Sequence, residues 1–464
     1  MKTKLTLLVV LSLFCVCLKA QNKVKVYYVD LGKTEKNIEN SIQEYQYETP
    51  EKARHRINVY PDIEFQTMEG VGGAFNEIGG EALQALPTDL QDEVMRKLFS
   101  AKEGAGFSFC RTAVGASDFG IDAYSYCDVD GDYKMKHFSI DREEKTVIPY
   151  IQKAYKFNPS LKMFASPWSP PAWMKYSGFM DRGDEFREIN HLKDEAKIYE
   201  AYALYFSKYI QAYADKGIVI DRLVVQNETD ASTKYPSCLM PVEQMAKFTK
   251  NYLRPRFQKD EIATEIWAGT FRTAGQLEAI KLAASADLRA PFDGIGIQYS
   301  SSRSISDLLG IYPEAHIMHT EGNCHNGANN WAQAKDRFRE IADYVNVGSP
   351  NYCYWNMILN ETTESGWGWK QNSLINIDRE NQKVTYNPDF QTVAFMSKYL
   401  QAGSVRVAHF SRGKVISVKK DNKLFLMLQN EKDTAESYDC QIDTESIAVV
   451  EIPANSLSVI QIEL

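Results

Sequence analysis

The sequence predicts an α/β fold: a (β/α)8 TIM barrel with an all-β sandwich side domain built mainly from the C-terminus. Three observations predict it. Eight short apolar runs alternate with longer amphipathic ones over about 330 residues, the rhythm of βα units. Most of those runs are continuous rather than alternating, as strands of a parallel sheet covered on both faces should be. From about Gly403 the helical periodicity stops and short β-rich segments take over.

The chain has 464 residues, a formal net charge of −8 and 44% hydrophobic residues. A core of ordinary size can form, which excludes a disordered tail or a collagen-like fibre. The acidic balance argues against nucleic acid as a partner, because phosphate binding needs basic patches. Residues 1–20 are read as a secretory signal. Lys2 and Lys4 form a basic start, residues 5–18 are apolar but short for a bilayer, and Ala20 offers a small residue at the cleavage point. A secreted or periplasmic protein is expected. Cys15 and Cys17 raise the lesser alternative of a lipid anchor, but Phe14 and Val16 precede them where lipoprotein processing takes a small residue. No later stretch reads as a transmembrane segment. Six further cysteines are scattered and form no CxxC pair, so neither a disulfide scaffold nor a structural zinc site is expected.

The segment 21–66 is expected to add to the β side domain, with the run at 24–29 as a strand. The barrel is assigned to 67–400. Its strands are expected at 70–75, 107–113, 162–165, 222–226, 265–269, 294–299, 315–320 and 352–358. Between the third and fourth, Tyr202, Tyr205, Phe206, Tyr209 and Tyr213 recur at helical spacing and Gly217 follows as a stop, so 192–216 reads as a helix with an aromatic packing face. A doubly wound sheet is the competitor, but Gly70, Gly72 and Gly73 only imitate its Gly-rich turn. The side domain proper is assigned to 401–464, with Gly413, Asp421-Asn422, Asn430-Glu431 and Pro453 to Asn455 as its turns.

Barrel chemistry sits where strands end at the C-terminal face. The fourth strand ends in Gln226-Asn227-Glu228 and the seventh in Thr320-Glu321-Gly322. Two carboxylates facing each other across a pocket are what acid/base glycoside hydrolysis needs: one protonated to serve the leaving group, one ionised to attack carbon or activate water. Other strand ends supply Arg111, Asp118, Trp168 and Trp173 on a Pro-Pro loop, and Trp355-Asn356. Arg, Asp and Asn suit a sugar's hydroxyl rim and Trp suits its C–H faces.

These blocks resemble glycoside hydrolase family 30, the group that contains lysosomal glucosylceramidase. The resemblance runs from about residue 66 to 410 and more loosely beyond. It rests on Glu69-Gly70-Val71-Gly72-Gly73-Ala74-Phe75, on Ser117-Asp118-Phe119 with Tyr124-Ser125-Tyr126, and on Ala165-Ser166-Pro167-Trp168 through Trp173-Met174-Lys175. It continues in Asn227-Glu228, Glu321 and Trp355-Asn356. The resemblance implies a retaining mechanism, with Glu321 as nucleophile and Glu228 as acid/base. It implies that Asn227 binds the 2-hydroxyl, that Arg111 keeps Glu321 ionised, and that Asp118, Trp168 and Trp355 line the sugar subsite. Tyr299 is implied as the tyrosine that hydrogen-bonds the nucleophile. Two departures stand out. Ile297-Gln298-Tyr299 replaces the family's His-x-Tyr, and Glu361 to Lys370, with Trp367 and Trp369, replaces a Gly-Gly-Pro stretch; those two tryptophans read either as sugar-stacking groups or as loop anchors.

His319, Glu321 and His325 lack a matching His-x-His, and the Asp128, Asp130, Asp132 cluster lacks the later glutamate of a calcium loop, so no metal or cofactor is expected. The expected protein is a secreted retaining β-glycosidase of the glucosylceramidase or β-glucosidase kind, exo-acting on β-linked glycosides. An endo-acting β-glycanase such as an endo-β-1,6-glucanase, or a β-xylosidase or β-fucosidase, is the alternative. An inactive carbohydrate-binding protein is a remote third. The expected partner is a β-linked glycoside, oligosaccharide or polysaccharide; nothing in the sequence points to a protein partner.

Overall fold

The computed structural model describes residues 24–299 and 302–464. The expected signal segment 1–20, with Cys15 and Cys17, lies outside the described residues.

The strands are numbered in chain order. After β1 (Val24–Asp30), β2 (Gln43–Glu44) and β3 (His55–Thr67), the barrel begins with β4 (Gly70–Phe75) and β5 (Phe109–Ala113). It continues through β6 (Lys162–Ser166), β7 (Arg222–Val224), β8 (Glu265–Phe271), β9 (Gly294–Gln298), β10 (Ile317–Glu321) and β11 (Asn351–Asn356). The sheet runs β11-β4-β5-β6-β7-β8-β9-β10 with parallel neighbours throughout, and a bridge between Gly322 and Tyr354 brings its two edges together. All eight expected strands are present, with boundaries shifted by at most two residues. The fourth is the shortest, yet Val225 and Gln226 still donate to Trp267 and Gly269 carbonyls, so the ladder delivers Asn227 and Glu228 to the barrel mouth. Gly72 is required by contact: a Cβ there would sit 2.0 Å from the Phe109 carbonyl oxygen.

Inside the barrel, side chains two positions apart on one strand point the same way. Phe109, Phe164, Val224, Trp267, Met318 and Cys353 pack into one apolar plug. Arg111 and Ser166, two positions beyond Phe109 and Phe164, stand above it. The polar site therefore rests on a dry floor, which strengthens every charge interaction there.

The helix Ala196–Asp215 buries its expected tyrosine face. Tyr213 and the loop tyrosines Tyr124 (2.7 Å) and Tyr126 (2.8 Å) all donate to the carboxylate of buried Glu143. Burial pushes the Glu143 carboxyl up to about 7, against the three hydroxyls that favour its charged form. Folded protein therefore binds a proton here that the unfolded chain, near 4.5, releases earlier. Stability from this group is full below pH 4.5 and drains away as pH rises toward 7. Glu143→Gln, which stays neutral, is expected to flatten the fall in Tm between pH 5 and 7; an unchanged slope in thermal melts would contradict that.

The side domain adds β15 (Val405–Ser411), β16 (Ile416–Lys420), β17 (Lys423–Asn430), β18 (Glu436–Ile442), β19 (Glu445–Ile452) and β20 (Ser456–Glu463), after β12 (Ile358–Asn360), β13 (Ile375–Asp378) and β14 (Lys383–Tyr386), which form a small separate sheet. Its single nine-stranded sheet runs β19-β18-β3-β15-β16-β17-β20-β1-β2, and its two halves face each other across a core that includes Val26, Val59, Leu426, Val450 and Ile460. The run at 24–29 is indeed a strand, paired along its length with β20. The reading missed β3, β18 and the small sheet. In β3, Pro61 argues against a strand, but the pairing with β18 covers only His55 to Val59, so Pro61 faces a single neighbour where the β15 register shifts. All six cysteines among the described residues are free and buried. Among those residues, no helix is long and apolar enough to cross a membrane.

Candidate active site

Glu228 and Glu321 lie at the C-terminal mouth of the barrel and are 6% and 5% exposed. Glu321 closes β10. Its Oε2 accepts from Arg111 Nη1 at 2.6 Å, and its Oε1 accepts from the Tyr299 hydroxyl. Glu228 follows β7 in the left-handed region, φ 43°, as does Tyr299 after β9, φ 49°. Such turns at strand ends hold non-glycine residues only under compensating contacts, and they recur where geometry serves function.

Arg111 is fully buried and organises the floor. It donates to Ser166 Oγ (2.7 and 3.2 Å), the Thr320 carbonyl (3.1 Å), Asn227 Oδ1 (2.7 Å) and Glu321. Asn227 Oδ1 also accepts from Thr270 at 3.1 Å, so its acceptor end is committed and its NH2 is left to face a ligand. The Arg111 guanidinium lies 4.5 Å from the centre of the Trp168 ring and 5.5 Å from that of Trp355. Those two indoles stack on each other at 5.0 Å and are almost fully buried, so one face of each is occupied by the other. Trp355 Nε1 and Asp118 Oδ1 are buried polar atoms without a protein partner. Burial, then the nearby Glu321 and Glu228, hold the Asp118 carboxyl well above the usual carboxylate range.

Burial likewise pushes the Glu228 carboxyl up to about 7, with Arg272 opposing and Glu321 and Asp230 adding. The site thus holds one carboxyl ready to give a proton beside a second gripped by a guanidinium. This is the division of labour that a glycosidic bond needs.

Three residues at this site were not legible as functional. Gln298 Nε2 donates to both glutamates, at 3.2 Å to Glu228 and 3.4 Å to Glu321. Tyr235 donates to Glu228 Oε2 at 3.3 Å, and Arg272 Nη1 lies 3.7 Å from the same oxygen. Arg272 follows β8 directly, and the strand-end rule finds it once that strand is extended to Phe271; Tyr235 sits deep in a loop with no local signal. His319 is packed between Tyr344 and Tyr352, its Nδ1 accepting from the Cys353 amide. Trp367 and Trp369 anchor their loop. Trp367 Nε1 donates to Asp181 at 3.2 Å, and the Trp369 ring packs on Tyr235 and Phe119. A cavity of about 800 Å³ lies at the opposite end of the barrel, and two of its three glutamates, Glu69 and Glu265, are ion-paired to Arg222.

A parallel eight-stranded barrel with this pair of carboxyls at its C-terminal mouth has the layout of an O-glycoside hydrolase. The model of the glycosyl hydrolase family 30 TIM-barrel domain matches residues 68–290. "Putative glucosylceramidase 3" of Caenorhabditis elegans is 30% identical over 383 residues, covering 76% of this chain and 70% of that protein. The chain belongs to glycosyl hydrolase family 30. "Endo-1,6-beta-D-glucanase" of Neurospora crassa is 29% identical over 216 residues, 46% of this chain and 44% of that protein. The crystal structure of SrfJ from Salmonella typhimurium shares the fold with a TM-score of 0.84 at 22% identity, over 95% of this chain and 100% of that one.

Proposed function

We propose that this protein is a retaining, exo-acting β-glycosidase, with Glu321 as nucleophile and Glu228 as acid/base. The observation that carries the reading is the single Gln298 amide touching both carboxylates. Its two contacts, 3.2 and 3.4 Å, keep those oxygens within about 6.6 Å of each other. Both oxygens lie against one amide nitrogen, so the separation falls short of that sum. Retaining enzymes hold their carboxyls at about 5–5.5 Å, whereas inverting ones need about 6.5–9.5 Å for an intervening water. Glu321 attacks the anomeric carbon as Glu228 passes its proton to the departing oxygen. Glu228 then takes a proton from water, which displaces Glu321. Asn227 offers its NH2 to the 2-hydroxyl. Asp118 and Trp355 bring unused hydrogen-bonding atoms to the same sugar.

Exo action is supported by the loop 361–371. Gly366 donates to the Gly120 carbonyl at 3.2 Å, and a Cβ there would lie 2.4 Å from the Ile121 carbonyl oxygen. With Trp367 on Asp181 and Trp369 on Tyr235, this loop ties together the loops after the second, third and fourth barrel strands. We read this strap as a wall beside Asp118, which would favour a pocket over a cleft. Endo action on a β-1,6-glucan is the second reading, favoured by the likeness to the Neurospora protein. We read residues 1–20 as an export signal and the protein as secreted or periplasmic.

The test is nitrophenol release from aryl β-glucoside, β-xyloside, β-fucoside and β-galactoside, with proton NMR of the first product. Release with the β-anomer appearing first supports the reading. The α-anomer overturns retention, and turnover of β-1,6-glucan without turnover of any aryl glycoside overturns exo action. The basic limb of kcat/KM is expected near pH 7, because Glu228 must be protonated and titrates at about 7. A rate that stays level to pH 9 would reject Glu228 as the acid.

A further inference from the structure

Gln298 occupies the last position of β9 and is fully buried. Its carbonyl end accepts from Thr320 Oγ1 at 2.9 Å. Carboxylate oxygens accept, so the amide nitrogen faces the two glutamates, and the Thr320 hydroxyl holds the carbonyl end in that position. The other charged or titratable groups around the pair include Arg111, Asp118, Asp230, Tyr235, Arg272, Tyr299 and, below Glu321, Cys353. Arg111 and Tyr299 bond Glu321; Tyr235 and Arg272 serve Glu228. Gln298 donates to both.

The chemistry moves a charge between these two groups. In the first half-reaction the bond from Glu321 to the anomeric carbon forms, the bond to the leaving oxygen breaks, and the Glu228 proton goes to that oxygen. Glu321 becomes a neutral ester and Glu228 a carboxylate. In the second half-reaction water gives its proton to Glu228, its oxygen bonds the anomeric carbon, and Glu321 leaves as a carboxylate again. Arg111 stays with Glu321 while the negative charge moves to Glu228, across the Gln298 amide. A charged donor placed between them would favour one location strongly. A neutral amide with one N–H toward each serves whichever carboxylate is ionised, and it neither gains nor loses a proton.

We propose that Gln298, oriented by Thr320, is a positioning residue that follows the negative charge from Glu321 to Glu228 and back, and so balances the two half-reactions. The proposal rests on the two-glutamate mechanism above. Its distinct consequence lies in the second half-reaction, where Glu228 must act as a base without losing its ionised form to burial.

The experiment compares wild type with Gln298→Met, Thr320→Val and the double variant. The substrate is a dinitrophenyl β-glycoside of the preferred sugar, whose good leaving group makes breakdown of the glycosyl-enzyme limit kcat. Gln298→Met is close in shape but donates nothing. Its kcat at pH 6 is expected to fall about 10- to 100-fold, the worth of one hydrogen bond to a charge. The pH midpoints that report Glu228 are expected to move up by roughly half a unit to one unit, because a lost donor makes the carboxylate harder to form. Thr320→Val keeps the amide but frees its orientation. It should move the same midpoints less, with no added effect in the double variant. A lower kcat with unmoved midpoints would mean that Gln298 only fills space, and would overturn the proposal. So would a Thr320→Val effect that adds in full to that of Gln298→Met. If Gln298→Met does not fold, the Thr320→Val midpoints alone decide. Glu228→Gln and Glu321→Gln, run alongside, report on the mechanism itself: if they keep full turnover, the two-glutamate reading fails, whatever Gln298 does.

Discussion

Glu321→Gln is expected to lower kcat/KM by at least about 10⁴-fold while leaving the fold intact. The substitution keeps the shape and, on the proposed mechanism, replaces a nucleophilic carboxylate by a weakly nucleophilic amide. Glu228→Gln should show a different signature. It loses about 10²–10⁴-fold on substrates with poor leaving groups, the usual span of general acid catalysis. It loses far less on a dinitrophenyl glycoside, whose leaving group departs unaided, and there a labelled glycosyl-enzyme should accumulate because no base activates water. Mass spectrometry of the quenched variant would reveal an added sugar on the peptide containing Glu321. An added sugar elsewhere, or equal losses on both substrates, would refute these roles. Glu321 is the residue that would carry the sugar in the proposed mechanism, and it is read from its strand end, its contacts and the resemblance of its block. That makes its substitution the more informative of the two.

Arg111→Met is expected to cause the largest loss of stability among single changes at the site. The guanidinium is fully buried and satisfies a carboxylate, a carbonyl, a hydroxyl and an amide oxygen at once. Removing one partner of a buried ion pair costs about 3–5 kcal/mol, chiefly by leaving the other charge unpaired. Activity should fall with it, because Asn227 loses the bond that sets which end of its amide faces the sugar. Arg111→Lys keeps the charge but cannot reach Ser166, Asn227 and Glu321 together, so it should be stable yet poorly active. In a double-mutant cycle, Arg111→Met combined with Glu321→Gln should be less destabilised than the sum of the single changes, because no unpaired charge remains. Full additivity in denaturant melts would show that the pair is not energetically coupled.

Much of the barrel was legible because strands buried on both faces read as unbroken apolar runs, as at Gly294–Gln298 and Ile317–Glu321. Glu228 and Glu321 stood out because chemistry in this fold collects at strand ends. What escaped was written in less distinctive residues. Strand β3 carries a proline and a solvent-facing stretch, and β18 reads Glu-Ser-Tyr-Asp-Cys-Gln-Ile, in which half-buried polar side chains hide the pattern. Both are recognisable only once their partners from distant parts of the chain are beside them. Gln298 is a harder case. A glutamine at a strand end announces no chemistry, and its two contacts come from residues 70 positions before it and 23 after. Trp168 and Trp355 show the converse. The residue type suggested sugar stacking, yet each lends a face to the other and to Arg111, which only the packed site reveals.

The pairing of β1 with β20 sets the order in which this molecule can be completed. Val24 meets Ile462, and β3 meets β15 and β18, so the first strands made wait for the last. At about 5–20 residues per second, the ~430 residues between them take roughly 20–90 seconds to synthesise. Through that interval the apolar side chains of Val24, Val26, Ile57 and Val59 have no lasting partner. The side domain is therefore the fastening step of assembly. A chain cut short before β20 would strand β1 and β2 as well, and lose that whole end of the sheet at once.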